Sequence, residues 1–151
     1  MKHVLFLCVG NSCRSQMAEG FAKFYGADVL RASSAGLSPA PIVQPLTFDV
    51  MQEKNVPLEG QHTKDLGSVA MADLDLLVNM SGIKLPNRIP IEVKEWKIED
   101  PIGQPVEMYR EVRDQIETLV MRLILELRRE SRPRAKAAGS RVLSRLARRP
   151  R

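Results

Sequence analysis

Short apolar runs alternate with segments of helical periodicity along most of the chain. Val4–Cys8 is unbroken apolar, as in a strand buried on both faces. A Gly10-Asn11-Ser12 turn follows. From Ser15 the positions Met17, Ala18, Phe21, Ala22 and Phe24-Tyr25 recur at near-helical spacing until Gly26 ends the pattern. Val29–Ala35 predicts a second strand closed by Gly36, and Ser38-Pro39-Ala40-Pro41 a loop. Gln44–Asn55 predicts a second helix with Leu46, Val50 and Met51 on one face. After the turn Pro57-Leu58-Glu59-Gly60, Leu66–Asp73 reads as a short helix. Leu74–Met80 and Ile91–Ile98 read as third and fourth strands. Beyond Asp100-Pro101-Ile102-Gly103, Val112, Ile116, Leu119, Val120, Leu123 and Leu127 predict a long helix over 106–128.

Strands alternating with helices predict an α/β protein. The expected form is a three-layer α/β/α arrangement with a four-stranded parallel sheet and a phosphate-binding loop after the first strand. In such sheets ligands sit at the carboxyl ends of the strands, which is where Cys8 falls. The 151 residues suit one domain. Its expected span is 1–130, followed by a basic tail over 131–151.

Charge sharpens that boundary. The chain carries a net +5. Residues 128–151 hold ten Lys/Arg against one Glu, a net +9, which leaves −4 for residues 1–127. The basicity therefore belongs to the tail and says little about the partners of the main domain. Val142, Leu143, Leu146 and Ala147 could line one face of a basic helix there, so the tail reads either as a contact for anionic partners or as a solvated extension. No apolar run approaches the roughly 18 residues of a membrane span. The first apolar run is too short for a signal peptide and leads into Gly-Asn-Ser, so a cytoplasmic protein is expected.

The chain has two cysteines, Cys8 and Cys13, and two histidines far apart, His3 and His62. That is too few for a disulfide scaffold or a structural metal site, and neither metal nor cofactor is expected. The chemistry concentrates in Cys8-Val9-Gly10-Asn11-Ser12-Cys13-Arg14-Ser15. Gly10 and Asn11 tolerate the positive φ of a tight loop, so that successive backbone N–H groups can form an anion nest. The helix start adds its unpaired N–H groups and positive dipole end. Arg14 can grip two anion oxygens at once. The same field favours a thiolate nucleophile at Cys8, with the Ser15 hydroxyl placed to donate to its sulfur. Val9, Gly10, Asn11, Ser12, Cys13, Arg14 and Ser15 are thus the candidate substrate-binding residues. Ester cleavage also needs a proton donor from a second loop on the same rim. Asp100, with its backbone set by Pro101, is the leading candidate, and Glu99 is its neighbour.

These residues, with Met17-Ala18-Glu19-Gly20, Ser34-Ala35-Gly36, His62-Thr63 and Asp100-Pro101, resemble the low-molecular-weight protein tyrosine phosphatases and their relatives, the thiol-dependent arsenate reductases. The resemblance covers residues 2–128. It implies a phosphocysteine intermediate at Cys8, oxyanion binding by Arg14, loop support from Asn11 and Ser15, and Asp100 as acid then base. It implies a phosphate-like oxyanion or a phosphotyrosine as substrate. Gln16-Met17-Ala18-Glu19-Gly20, Trp96 and Asp100-Pro101-Ile102-Gly103 look more like the reductases. Ile102-Gly103 departs from the aromatic residues that typically follow that Asp-Pro in the phosphatases. Against the reductases, the segment 80–87 holds no cysteine for an internal relay, and Met80 stands where the first would be. Phosphomonoester hydrolysis is therefore the leading reading. The alternatives are arsenate reduction with an external thiol, and an oxyanion-binding module without efficient turnover. Cys13 reads as packing under the loop or as a protective disulfide partner of Cys8. His62 reads as a supporting residue.

Overall fold

The structure, a computed structural model, describes residues 1–132. All but the first two residues of the expected tail, and any contact it makes with anionic partners, lie outside the described residues. Strand β1 (Lys2–Cys8) occupies the interior of a four-stranded sheet, beside β2 (Leu30–Gly36) on one side and β3 (Leu76–Asn79) on the other. Strand β4 (Glu92–Glu95) lies beyond β3, giving the order β2-β1-β3-β4 with every pair parallel. Two covered faces explain why Val4, Leu5, Phe6 and Leu7 are all fully buried.

Alternation of side chains divides the core. Val4, Phe6, Leu76 and Val78 face one cluster with residues of the three helices α1 (Arg14–Gly26), α2 (Pro45–Gln52) and α3 (Val106–Glu130). Leu5, Leu7, Ala35 and Leu77 face the other way, against Leu66, Val69, Met71, Leu85 and Ile91. The second covering layer is thin. The helix expected over Leu66–Asp73 is two single 3-10 turns, Leu66–Ser68 and Met71–Asp73, the first capped by Asp65 Oδ1 accepting from Gly67 N–H at 2.7 Å. The expected second helix stops at Gln52, because Asn55 takes φ 58° and turns the chain. Strand β4 is shorter than its sequence pattern. It pairs only with β3, and that ladder runs from Leu76–Glu92 to Asn79–Glu95.

Helix α3 is fastened to α2 by charge as well as by apolar contact. The largely buried Arg113 donates to Val50 O at 2.8 Å and to Glu53 Oε1 at 2.6 Å, and Arg110 grips the same carboxylate with Nε and Nη2. Hydrogen bonds from Arg110 and Arg113 hold the Glu53 carboxyl at about 2. This fastening holds α3 against the C-terminal end of α2. No helix among the described residues is long and apolar enough to cross a membrane.

Candidate active site

Between β1 and α1 the chain turns every peptide carbonyl outward. Cys8 O, Val9 O and Gly10 O accept from the N–H groups of Leu37, Ser38 and Ala40 at 3.1, 2.9 and 2.9 Å. Asn11 O accepts from Gln16 Nε2 at 2.9 Å. Ser12 O accepts from Gln44 N–H at 2.9 Å and from the Thr47 hydroxyl at 3.0 Å. In a planar trans peptide the next residue's N–H points opposite to the carbonyl, and no peptide bond among the described residues is cis. The N–H groups of Gly10, Asn11, Ser12 and Cys13 therefore face the other way, and none has an acceptor among the described residues. Four such unpartnered donors beside the N-terminus of α1 are the arrangement an anion nest requires.

Cys8 ends β1 at the base of this loop and is 2% exposed. Its Sγ lies 2.8 Å from Ser15 Oγ. Asn11 Nδ2 donates to the same Ser15 oxygen at 2.7 Å, and Asn11 Oδ1 accepts from Lys64 N–H at 2.9 Å. Asn11 stands at φ 52°, the left-handed conformation that Asn adopts more readily than other side-chain-bearing residues. The Asn11 side chain thus fixes both the loop's sharpest turn and the orientation of Ser15.

Arg14 is held from behind. Nη1 donates to Met80 O at 2.6 Å and to Ile98 O at 3.1 Å, the chain just beyond β3 and β4. Nη2 stands 3.7 Å from Asp100 Oδ2. Asp100 is about half exposed at the rim, and its Oδ1 accepts from Ile102 N–H at 3.1 Å. A guanidinium anchored in this way meets an oxyanion without first being ordered.

The other candidates separate. Cys13 is buried, and that burial, opposed by the Thr47 hydroxyl, pushes its thiol up to about 12. It is a packed thiol beneath the loop. Met80 contributes only its carbonyl, its side chain lying in the core. The His62 ring is exposed, and it is the His62 carbonyl that reaches the site's supports, accepting from Gln16 Nε2 at 3.0 Å. Trp96 packs on Phe6, with ring centroids 5.9 Å apart. Ser12 Oγ is buried with no hydrogen-bond partner among the described residues.

Four supporting residues escaped sequence reasoning: Gln16, Gln61, Thr47 and Lys64. A signal existed for one of them, since Gln16 is a polar residue directly before the apolar pair Met17-Ala18. The others act across the chain, where periodicity carries no information. Below them Glu19, 3% exposed, accepts from Ser34 Oγ at 2.6 Å and pairs with Lys23. Burial pushes the Lys64 ammonium down, with Glu19 opposing.

The fold is a parallel α/β sheet with a buried cysteine at the carboxyl end of its strand β1, in the loop that leads into α1. The chain belongs to the low molecular weight phosphotyrosine protein phosphatase family, whose profile matches residues 3–133. Within that superfamily its relatives include arsenate reductases. It is 37% identical over 131 residues to the glutaredoxin arsenate reductase of Synechocystis sp., covering 84% of this chain and 99% of that one. It is 35% identical over 125 residues to an arsenate reductase of Staphylococcus aureus (strain Newman), covering 79% and 93%. A solved arsenate reductase in its phosphate-binding state superposes with a TM-score of 0.79 at 37% identity, covering 84% of this chain and 99% of that one. The YwlE arginine phosphatase of Geobacillus stearothermophilus shares the fold, with a TM-score of 0.77 at 24% identity over 86% of this chain and 95% of that one.

Proposed function

We propose that residues 1–130 form an arsenate reductase that uses Cys8 as its nucleophile and takes its resolving thiol from outside the chain. The sequence alone favours phosphomonoester hydrolysis. The likeness to arsenate reductases over nearly their whole length favours the reductase alternative instead. The observation that carries the external thiol is the state of the second cysteine. Cys13 is buried with its thiol pushed up to about 12, and segment 80–87 has no cysteine. Cys8 instead lies at the base of the loop with the Ser15 hydroxyl 2.8 Å from its sulfur.

The chemistry balances with two external thiols. The Cys8 sulfur attacks arsenic(V) and a water leaves, giving a Cys8–S–As(V) adduct held by the loop N–H groups and Arg14. An external thiolate then attacks Cys8 Sγ. The S–S bond forms, the S–As bond breaks, and its electron pair leaves on arsenic as arsenite. A second thiol reduces the mixed disulfide, restoring Cys8 and releasing an external disulfide. Arsenic gains two electrons and two thiols lose one each.

Phosphomonoester hydrolysis is the second reading, favoured by Asp100 standing 3.7 Å from Arg14 at the rim. There Cys8 takes the phosphoryl group, Asp100 protonates the leaving oxygen, and Asp100 then draws a proton from the water that cleaves the phosphocysteine. Hydrolysis of p-nitrophenyl phosphate and thiol-dependent arsenite release, measured on one preparation with Asp100→Asn alongside, separate the two. The reductase reading requires the larger specificity constant for arsenate. A larger constant for the ester, lost in Asp100→Asn, favours the phosphatase. Tight phosphate binding with neither activity leaves an oxyanion-binding module.

A further inference from the structure

The structure assigns Gln16 as a positioning residue that latches the Asn11–Ser12 peptide in its anion-binding orientation. The assignment rests on the reading of residues 8–14 as an oxyanion site.

The carbonyls that face away from the nest are held unequally. Those of Cys8, Val9, Gly10 and Ser12 are each taken by a backbone N–H from residues 37–44. The Ser12 carbonyl has the Thr47 hydroxyl in addition. The Asn11 carbonyl alone among these five depends on a side chain, Gln16 Nε2 at 2.9 Å. It belongs to the residue at φ 52°, and its peptide is the one between Asn11 and Ser12. If that peptide turned over, Ser12 N–H would leave the nest and a carbonyl oxygen would face the anion.

Gln16 is built for the task. It is fully buried in the first turn of α1, and each of its amide hydrogens has an acceptor, Asn11 O and His62 O at 3.0 Å. Gln61 Nε2 donates back to Gln16 Oε1 at 2.8 Å and to Gln16 O at 3.1 Å. The amide therefore cannot rotate without breaking bonds at both ends. The segment it captures, 61–64, also delivers Lys64 N–H to Asn11 Oδ1 at 2.9 Å. The two ends of Asn11, carbonyl and side chain, are thus referred to one segment. A side chain chosen only to pack at this point would be apolar, like its neighbours Met17 and Ala18.

The test is phosphate binding by calorimetry at 15 °C on the full chain, comparing wild type, Gln16→Met and Gln61→Met, with the ligand-free melting temperature of each. Met keeps the length of Gln and removes both donations. Gln16→Met is expected to raise the Kd for inorganic phosphate about tenfold, the effect of losing about one well-made hydrogen bond to the bound conformation. Gln61→Met keeps the Gln16 donors but frees the amide, and should raise the Kd about threefold by the same reasoning. It stands in where Gln16→Met fails to fold. If both variants melt lower but bind phosphate with the wild-type Kd, Gln16 only packs and the assignment is overturned. Wild type that does not bind phosphate overturns the oxyanion site itself, and the latch with it.

Discussion

The Asn11 side-chain amide donates to Ser15 Oγ at 2.7 Å, which leaves the Ser15 hydrogen to point at Cys8 Sγ 2.8 Å away. Without that donation either atom of the Cys8–Ser15 pair could be the donor. A Ser15 hydroxyl that donates to the sulfur would support attack by Cys8 as a thiolate. Ser15→Ala should therefore slow alkylation of Cys8 by iodoacetate at pH 7 by about ten- to a hundredfold, the range for a hydrogen bond to a charged group. The circular-dichroism spectrum should not change. An unchanged alkylation rate would remove Ser15 from the activation of Cys8.

Gly36 ends β2 directly beside the loop. A Cβ there would stand 2.7 Å from Val9 O and 3.0 Å from Asn11 N, both backbone atoms of the nest. Backbone has nowhere to yield, so Gly36→Ala should displace the loop, lower stability by about 1–3 kcal/mol and abolish measurable phosphate binding. Urea unfolding and calorimetry on the same sample check both effects. A variant that binds phosphate as wild type does would show that the loop tolerates the shift.

How far the sequence was legible follows from these residues. The order strand, loop, helix at Cys8–Ser15 was readable because a strand buried on both faces and a helix start each leave local signatures. The placement of Ser15 beside Cys8 followed from that order. The supports were not readable. Gln16 to Gln61 spans 45 residues and Arg14 to Ile98 spans 84, and the second partner of Arg14 is a carbonyl with no side-chain signal. The thin second layer was hidden for another reason. Leu66, Val69 and Met71 all pack on the sheet face that layer covers, yet Leu66 and Met71 sit in separate 3-10 turns with Val69 extended between them, a local arrangement the residue types do not announce.

Cys13 should be inert as a nucleophile. Burial pushes its thiol up to about 12, so the thiolate is scarce at every pH below that value. In the Cys8→Ser variant, where Cys13 is the remaining thiol, reaction with a chromogenic disulfide in the absence of denaturant should stay slow from pH 7 to about 10. Rapid labelling in that range would give the chain a second usable thiol and weaken the need for an external one.

Glu53 gives the fold an acid dependence of its own. Its carboxyl titrates at about 2 in the folded chain against an ordinary value of 4.5. Between those values the unfolded chain binds a proton that the folded chain does not, so stability rises with pH across the window. The contribution is complete above 4.5 and is lost as pH falls through about 2. Urea midpoints followed across that window should rise less steeply in Glu53→Gln than in wild type. Parallel curves would mean that Arg110 and Arg113 hold no charge there worth counting.

Cys8 alone on this chain should attack arsenate, and an outside thiol should resolve the adduct. A single-turnover experiment checks this by counting arsenite formed per Cys8 by the reduced chain, with and without one equivalent of a low-molecular-weight thiol. The expected result is no arsenite without the added thiol. With it, about one arsenite per Cys8 and a mixed disulfide on Cys8 by mass spectrometry follow from the stoichiometry of thiol attack on the adduct. Arsenite formed without the thiol, or formed equally by Cys8→Ser, would contradict the claim.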